Sequence, residues 1–137
     1  MAVVWLRIVS LAALLQFVGH GAMFVRARPT HGADEVAVVD AMRSQAFLFA
    51  SAPRTYWDMY FGYGLEAAVV CLVEAILFWL LAGAAPGCAV LVRSVAALFA
   101  AANLAHIVML LRYFAFPLPM VFDGIIAAGL IAAATTV

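Results

Sequence analysis

Four long apolar stretches constrain the fold of this chain more than any other feature. They cover about residues 3–25, 56–84, 90–114 and 119–137. A helix of about 20 apolar residues crosses the hydrocarbon core of a bilayer, and each stretch is close to that length or longer. Because lipid offers no hydrogen-bond partners to the backbone, such a run must be helical. The sequence therefore predicts four membrane-spanning helices.

The composition supports the same class. Hydrophobic residues make up 69% of the chain and charged residues 10%, and the mean hydropathy is +1.17. That leaves too little polar surface to cover a soluble globule of this size. Lysine is absent, and seven arginines balance seven acids without forming a basic patch, so a nucleic-acid partner is not expected. We expect an integral, multi-pass membrane protein in contact with the lipid bilayer.

The first apolar stretch has a second interpretation, a secretory signal peptide. Arg7 interrupts its apolar run, its amino-terminal region is almost uncharged, and no clean A-x-A cleavage site follows. We therefore expect this stretch to be retained as the first spanning helix.

The connections between the stretches predict an all-α, up-down four-helix bundle that forms one domain over residues 1–137. The second and third stretches are joined by a short turn at Pro86 and Gly87, which allows only an antiparallel hairpin. The connector 26–55 is longer, and part of it has helical periodicity, which predicts a short amphipathic helix; a solvated connector without such a helix is the alternative. The periodic positions are Val36, Val39, Met42, Ala46 and Phe49.

Lipid is as apolar as the side chains themselves, so burial of apolar side chains does not hold the helices together. Small residues, which allow the helices to approach closely, should therefore make the helix contacts. On the fourth stretch, Gly124, Ala128 and Ala132 form a row at four-residue spacing. The corresponding residues of the second and third stretches are Gly62, Gly64, Ala67, Ala68, Ala96, Ala97, Ala100, Ala101, Ala102 and Ala105.

The arginines predict the orientation, because positive charge favours the cytoplasmic side. The larger set lies on the side of the long connector, which is therefore expected in the cytoplasm, in a bacterial inner membrane. That set is Arg26, Arg28, Arg43, Arg54 and Arg112, against Arg7 and Arg93 on the other side.

A polar and aromatic motif opens the second helix. Thr55 and Asp58 have the spacing of a capping box, so the helix should begin at Tyr56. Aromatic rings at the entry of a spanning helix are typical of the headgroup level of a bilayer. The residues of this structural motif are Arg54, Thr55, Tyr56, Trp57, Asp58, Tyr60, Gly62 and Gly64.

Ionisable residues within the helices are the candidates for a functional site. His20, Glu66, His106 and Asp123 come from four different helices, and their distances from the helix ends place them in nearly one layer, roughly 6 to 12 Å from the side of the long connector. We expect at least three of them to converge in a pocket that opens toward the connector. Gln16, Asn103 and Glu74 continue the polar faces deeper into the bundle.

Each of these residues also has a structural interpretation. Asp123 could complement the positive amino-terminal end of the fourth helix. His20 could hydrogen-bond a carbonyl near the interface, and Glu66 could pair with Arg54 or Arg112. Glu74 lies deep in an apolar run, where a carboxyl group is neutral or hydrogen-bonded.

Three functions remain open from the sequence. The first is an accessory bundle that holds a lipophilic ligand at His20, Glu66, Glu74, Asn103, His106 and Asp123. The second is a membrane enzyme that uses a histidine and a carboxylate on a lipophilic substrate such as an isoprenoid, sterol or quinone. The third is a haem protein with His20 and His106 as axial ligands. The cofactor is unknown, and a larger membrane complex or a homo-oligomer is open as well.

The two cysteines, Cys71 and Cys88, indicate neither a disulfide framework nor a metal site, because their spacing is typical of neither. No metal site is expected. We interpret both as packing residues.

The entry motif carries a resemblance. The stretch from Arg54 to Leu65 resembles the Tyr-Trp-Asp-Phe-Tyr-x-Gly-Phe-Gly signature of a family of small bacterial membrane proteins broadly similar to DoxX-like four-helix proteins. The same pattern includes Gly19-His20 and the sequence Arg112-Tyr113-Phe114. The resemblance implies a four-helix membrane fold and no particular activity.

Overall fold

The computed structural model describes residues 1–25, 29 and 31–137. Arg26 and Arg28, on which the predicted orientation partly depends, lie outside the described residues. The elements in chain order are α1 (Ala2–Val25), α2 (Ala33–Ser44), β1 (Ala46–Phe49), β2 (Ala52–Thr55), α3 (Tyr56–Ala84), α4 (Ala89–Tyr113) and α5 (Pro117–Thr136).

Four of these helices, α1, α3, α4 and α5, are long and apolar enough to cross a membrane. The prediction of an all-α fold with four spanning helices and a short helix in the first connector is confirmed. The chain is an integral, multi-pass membrane protein. Large apolar side chains are exposed along all four spanning helices, as contact with lipid requires.

The chain divides into two compact units. The first, which we call the bundle unit, comprises Met1–Phe17 and Val70–Val137. It contains most of α1, the second half of α3, and all of α4 and α5. The second, which we call the connector unit, comprises Val18–Val69.

In the bundle unit, α1 runs antiparallel to α3. The hydroxyl of Ser10 donates a hydrogen bond to the carbonyl of Ala75 over 2.6 Å. Three residues earlier on α1 and four later on α3, the guanidinium of Arg7 lies 3.3 Å from the ring centroid of Trp79. The residue numbers rise on one helix as they fall on the other, which fixes the antiparallel direction.

The same relation holds between α4 and α5, and a short turn joins α3 to α4. Arg93, near the start of α4, donates to the carbonyls of Ala134 and Val137 at the end of α5 over 3.2 and 3.0 Å. The rings of Phe78 on α3 and Phe99 on α4 meet edge to face, with centroids 5.4 Å apart. The predicted up-down-up-down order is confirmed.

The predicted row of small residues on α5 is not the buried face of the helix, although two of its members, Gly124 and Ala132, are half-buried. Ala128 is exposed, whereas Gly129 is buried against the side chain of Val9. The reason lies in the stripe next to the predicted row, where larger residues recur at helical spacing and determine how the helix is rotated. The buried residues of that stripe are Asp123, Ile126, Ala127, Leu130 and Ala133.

On α4 the small-residue prediction holds only in part. Ala96 and Ala100 are buried in the core together with Val92, at four-residue spacing. The other alanines predicted to make contacts on this helix are exposed, namely Ala97, Ala101, Ala102 and Ala105. On α3, Gly64 and Ala68 are buried, while Gly62 and Ala67 are exposed.

A β-hairpin occupies the end of the connector, where the sequence predicted a continuing helix. Helix α2 ends at Ser44, and Ala46 and Phe49, which were assigned to the helical pattern, lie in strand β1. The strands pair antiparallel from Ala46 with Thr55 to Phe49 with Ala52, which leaves a two-residue turn.

The sequence does not signal this turn. Its residues, Ala50 and Ser51, both have positive φ, at 48° and 69°. Two-residue hairpin turns with this geometry favour asparagine, aspartate and glycine, and this chain has none of them here. Pro53 also argues against a strand, and it is tolerated because a two-stranded hairpin has only edge strands.

Helix α5 begins at Pro117, two residues before the predicted start at residue 119. Pro117 and Pro119 both lie in its first turn, where the missing backbone N–H has no helical partner to lose. Asp123 is therefore almost two turns inside the helix.

Candidate functional site

The buried carboxylate of Asp123 is the centre of the polar groups in the bundle unit. Its side chain is 2% exposed, and it lies on the inward stripe of α5 with Ile126 and Leu130. The first turn of α5 contains no acid. Because the dipole effect fades within the first turn, the helix end does not account for this residue. Its neighbours must stabilise the carboxyl group instead.

Two polar side chains from other helices reach the carboxyl group. The amide Nε2 of Gln16 on α1 donates to Oδ1 of Asp123 over 3.1 Å. The imidazole Nδ1 of His106 on α4 lies 2.9 Å from Oδ2. Each carboxylate oxygen thus has a polar neighbour from a different helix. The antiparallel packing brings these three residues together although they are 17 to 107 positions apart.

His106 is about half exposed and lies beside the buried carboxyl group of Asp123. Its side chain is 49% exposed, and the nitrogen nearer the core, Nδ1, faces Asp123. The second nitrogen, Nε2, lies on the other side of the ring, so it faces outward from the pair. The ring can therefore pair with Asp123 through Nδ1, and Nε2 remains as the atom that could bind another molecule.

Glu74 and Cys71, one turn apart on α3, lie within electrostatic reach of Asp123, and Glu74 also interacts with His106. Both side chains are partly buried. We interpreted Cys71 from the sequence as a packing residue only. Its position three residues before Glu74, on the same helix face, is the signal that places it beside the polar groups.

Asn103 is buried on α4, one turn before His106, but it is bonded within its own helix. Its amide donates to the carbonyl of Phe99 over 2.9 Å. One of the two N–H donors of the side chain is thus satisfied locally. Its role in ligand binding stays a prediction.

His20 and Glu66 belong to the connector unit. The ring of His20 contacts the ring of Phe24, with centroids 5.0 Å apart, and Glu66 is exposed on α3. The predicted layer combines these residues with His106 and Asp123 of the bundle unit. Their place in one site, and the haem site that needs His20, stay predictions.

The entry motif forms the predicted capping box. The backbone N–H of Asp58 donates to the hydroxyl of Thr55 over 3.1 Å, and the carboxylate of Asp58 accepts from the backbone N–H of Thr55 over 2.8 Å. Helix α3 begins at Tyr56, as predicted. Two backbone donors are thus satisfied before the chain enters the apolar part of the helix.

Aromatic contacts surround this entry. The guanidinium of Arg43 on α2 lies 4.3 Å from the ring centroid of Trp57, and the ring of Tyr60 lies 5.4 Å from that of Phe24. A Cβ at Gly64 would overlap the Phe24 ring, whereas one at Gly62 would meet no neighbouring atom within 4 Å. Of the two glycines in the motif, only Gly64 is required by packing.

Comparison of the chain with protein-family models, curated proteins and solved structures finds no match. Within residues 1–25, 29 and 31–137, no three or more His, Cys, Asp or Glu side chains are grouped so that they could hold a metal ion. The resemblance to DoxX-like proteins stays a prediction. The indication of function therefore comes from the polar groups of the bundle unit.

Proposed function

We propose that this membrane protein holds a lipophilic molecule by its polar head at the His106–Asp123 pair. One observation carries the proposal. A half-exposed imidazole on a spanning helix has its Nδ1 2.9 Å from a buried carboxylate. Because the two ring nitrogens point in different directions, Nε2 is the atom that we propose binds the ligand. A ligand that arrives from the lipid would meet this nitrogen first.

A membrane protein has a physical reason to avoid such a pair unless it serves a function. Placing a carboxyl group inside a bilayer costs free energy, and residues with such groups commonly mark ligand or proton sites. An apolar residue at position 123 would be sufficient for packing, since buried ion pairs are often no more stabilising than apolar residues of similar volume. Here one acid has two polar partners from two helices.

The pair can bind two kinds of polar head. When Asp123 is ionised, Nδ1 of His106 donates to it, and Nε2 of the neutral ring accepts a hydrogen bond from a hydroxyl group. When the proton is on the carboxyl group, Nδ1 accepts and Nε2 donates to a carbonyl oxygen. The ligand class is therefore a long apolar molecule with a hydroxyl or carbonyl head, such as an isoprenoid alcohol, a sterol or a quinone.

The surroundings of His106 suit the apolar part of such a molecule. Ala102 and Ala105 are exposed beside it and have small side chains, which leaves room along the helix. Met109, one turn further on, is exposed and adaptable in shape. An apolar tail can lie along this surface of α4 while its head reaches the imidazole.

A second candidate function, an enzyme, is favoured by the same pair. A carboxylate that orients an imidazole is the arrangement of many general bases. When Nε2 takes a proton from a substrate, the ring could release its Nδ1 proton to Asp123, which lies 2.9 Å away. Under this alternative the lipophilic molecule is a substrate, and it changes chemically when it is bound.

Three finer points belong to the same proposal. We place the protein in a bacterial inner membrane with the long connector in the cytoplasm, because arginines favour that side. We also propose membership of the DoxX-like group on the entry motif. A larger membrane complex or a homo-oligomer is compatible with a ligand-holding role.

Native mass spectrometry of the protein purified in mild detergent tests the proposal. We expect the wild type to retain a lipophilic molecule that His106→Ala loses. The matched control is His31→Ala, which removes an exposed histidine of the connector and should retain the molecule. Equal retention by the two variants, or a wild type that retains no such molecule, would contradict the proposal.

A further inference from the structure

We propose that the tip of the β1–β2 hairpin inserts into the headgroup region of the bilayer that α3 enters. The tip is apolar and exposed: Leu48 is 79% exposed and Phe49 is 51% exposed. From Phe47 to Pro53, only Ser51 is polar. Large apolar side chains that are exposed next to one another commonly mark a surface that contacts a membrane or a protein, so this composition indicates a less polar environment than water.

The base of the hairpin is fixed to the point where the chain enters the membrane. Strand β2 ends at Thr55, and α3 begins at the next residue. The ring of Phe47 on β1 lies 4.8 Å from the ring of Tyr56, centroid to centroid, which holds the strand against the first turn of α3. Tyr60 and Tyr63 are exposed on the following turns, as in an aromatic belt.

The length of the hairpin limits how far its tip can be from this entry. Strands of four residues extend about 13 Å, at about 3.3 Å per residue. A hairpin of two strands is marginally stable in water and needs another surface to cover its apolar residues. The bilayer surface is continuous with the lipid-facing side of α3, so it is the nearest such surface.

Pairing with a second copy fits the hairpin less well. Pro53 lacks the N–H that an added strand would need, and the side chain of Arg54 is exposed beside it.

The charge of the lipid headgroups is not expected to drive insertion. The acids of the adjacent α2, Asp34, Glu35 and Asp40, would be repelled by an anionic lipid surface. Insertion should therefore depend on apolar contact, and it should occur in uncharged phosphatidylcholine vesicles.

A fluorescence experiment tests the insertion on the full chain. In a background with Cys71→Ala and Cys88→Ala, single cysteines are introduced as Leu48→Cys and Pro53→Cys and labelled with the environment-sensitive dye NBD. These two positions pair across the hairpin and lie on one face. The control is His31→Cys, at a site that is 83% exposed. Each protein is reconstituted in phosphatidylcholine vesicles that contain doxyl-labelled lipid.

We expect dye at positions 48 and 53 to show blue-shifted emission. Doxyl groups near the carbonyl end of the acyl chain should quench the fluorescence of this dye more than doxyl groups near the methyl end. Dye at position 31 should show neither effect. Emission at 48 and 53 equal to that at 31 would overturn the proposal. Disulfide cross-linking between two unlabelled copies of the Leu48→Cys variant, with no quenching by lipid, would overturn it in favour of self-association.

Discussion

At the scale of single residues, the bundle unit is organised around one buried acid. Asp123 accepts a hydrogen bond from Gln16 and lies against His106, so its carboxyl group contacts polar groups of two neighbouring helices. A hydrogen bond between spanning helices contributes about 0.6 kcal/mol on average, and at most about 1.7. The contacts are therefore modest in energy, and their chief effect is to fix the position of the imidazole.

The Gln16 contact can be tested by its removal. Gln16→Leu should lower the free energy of unfolding in detergent by about 0.6 to 1.7 kcal/mol, because Oδ1 of Asp123 loses its donor. Gln45→Leu, a change of the same kind at an exposed position of the connector, is the control and should leave stability nearly unchanged. Equal stability of both variants and the wild type would argue against the contact.

The two glycines of the entry motif should respond differently to the same change. Gly64→Ala forces the Phe24 ring to move and should destabilise the protein by about 1 to 3 kcal/mol, as overpacking does. Gly62→Ala places its methyl group in open space and should be neutral or slightly stabilising, because alanine favours helix. Thermal unfolding in detergent measures both. A Gly64→Ala variant as stable as Gly62→Ala would contradict the proposed requirement for glycine at position 64.

At the scale of elements, the start of α3 depends on its cap. Thr55→Ala removes the hydroxyl that accepts from the backbone of Asp58 and should cost about 0.5 to 2 kcal/mol. Thr135→Ala, near the end of α5, is the control, because the hydroxyl of Thr135 donates to carbonyls of its own helix and caps no helix start. Hydrogen exchange of the first turn of α3 should quicken in Thr55→Ala alone. An unchanged exchange rate would contradict the capping role.

The elements also show which parts of the fold can be predicted from the sequence. Spanning helices are predictable because lipid permits no other pairing of the backbone. The hairpin was not predictable from the sequence. Its turn residues, Ala50 and Ser51, adopt positive φ, but they are not the asparagine, aspartate or glycine that normally signal such a turn. The contact face of α5 was missed for a different reason. Its small residues lie next to a stripe of larger ones, and hydropathy alone does not say how a helix is rotated.

For the candidate site, the depth of its residues in the membrane could be predicted, but their contacts could not. Residue counts from the helix ends gave the depth of His106 and Asp123, and the structure places them 2.9 Å apart. Depth could not show that Asn103 bonds to its own helix, or that Cys71 lies near the acids. These details depend on helix rotation and side-chain conformation.

At the scale of the whole molecule, four spanning helices place both termini on one side of the membrane. Reporter fusions at residue 1 and at residue 137 should therefore report the same compartment, and a fusion in the connector should report the other. The arginine distribution predicts that the connector reporter is cytoplasmic. Opposite compartments for the two terminal fusions would contradict the four-helix topology.

The central claim is that the outer nitrogen of His106 binds the polar head of a lipophilic molecule. The most direct measurement is ¹⁵N NMR of the protein with labelled histidines in bicelles, with the His106 signals assigned from His106→Ala. Added farnesol, which has a hydroxyl head, should shift the Nε2 signal of His106, whereas dodecane, which has no head, should not. His31, exposed in the connector, provides an unshifted internal reference. A His106 signal that responds equally to farnesol and dodecane, or to neither, would contradict the account.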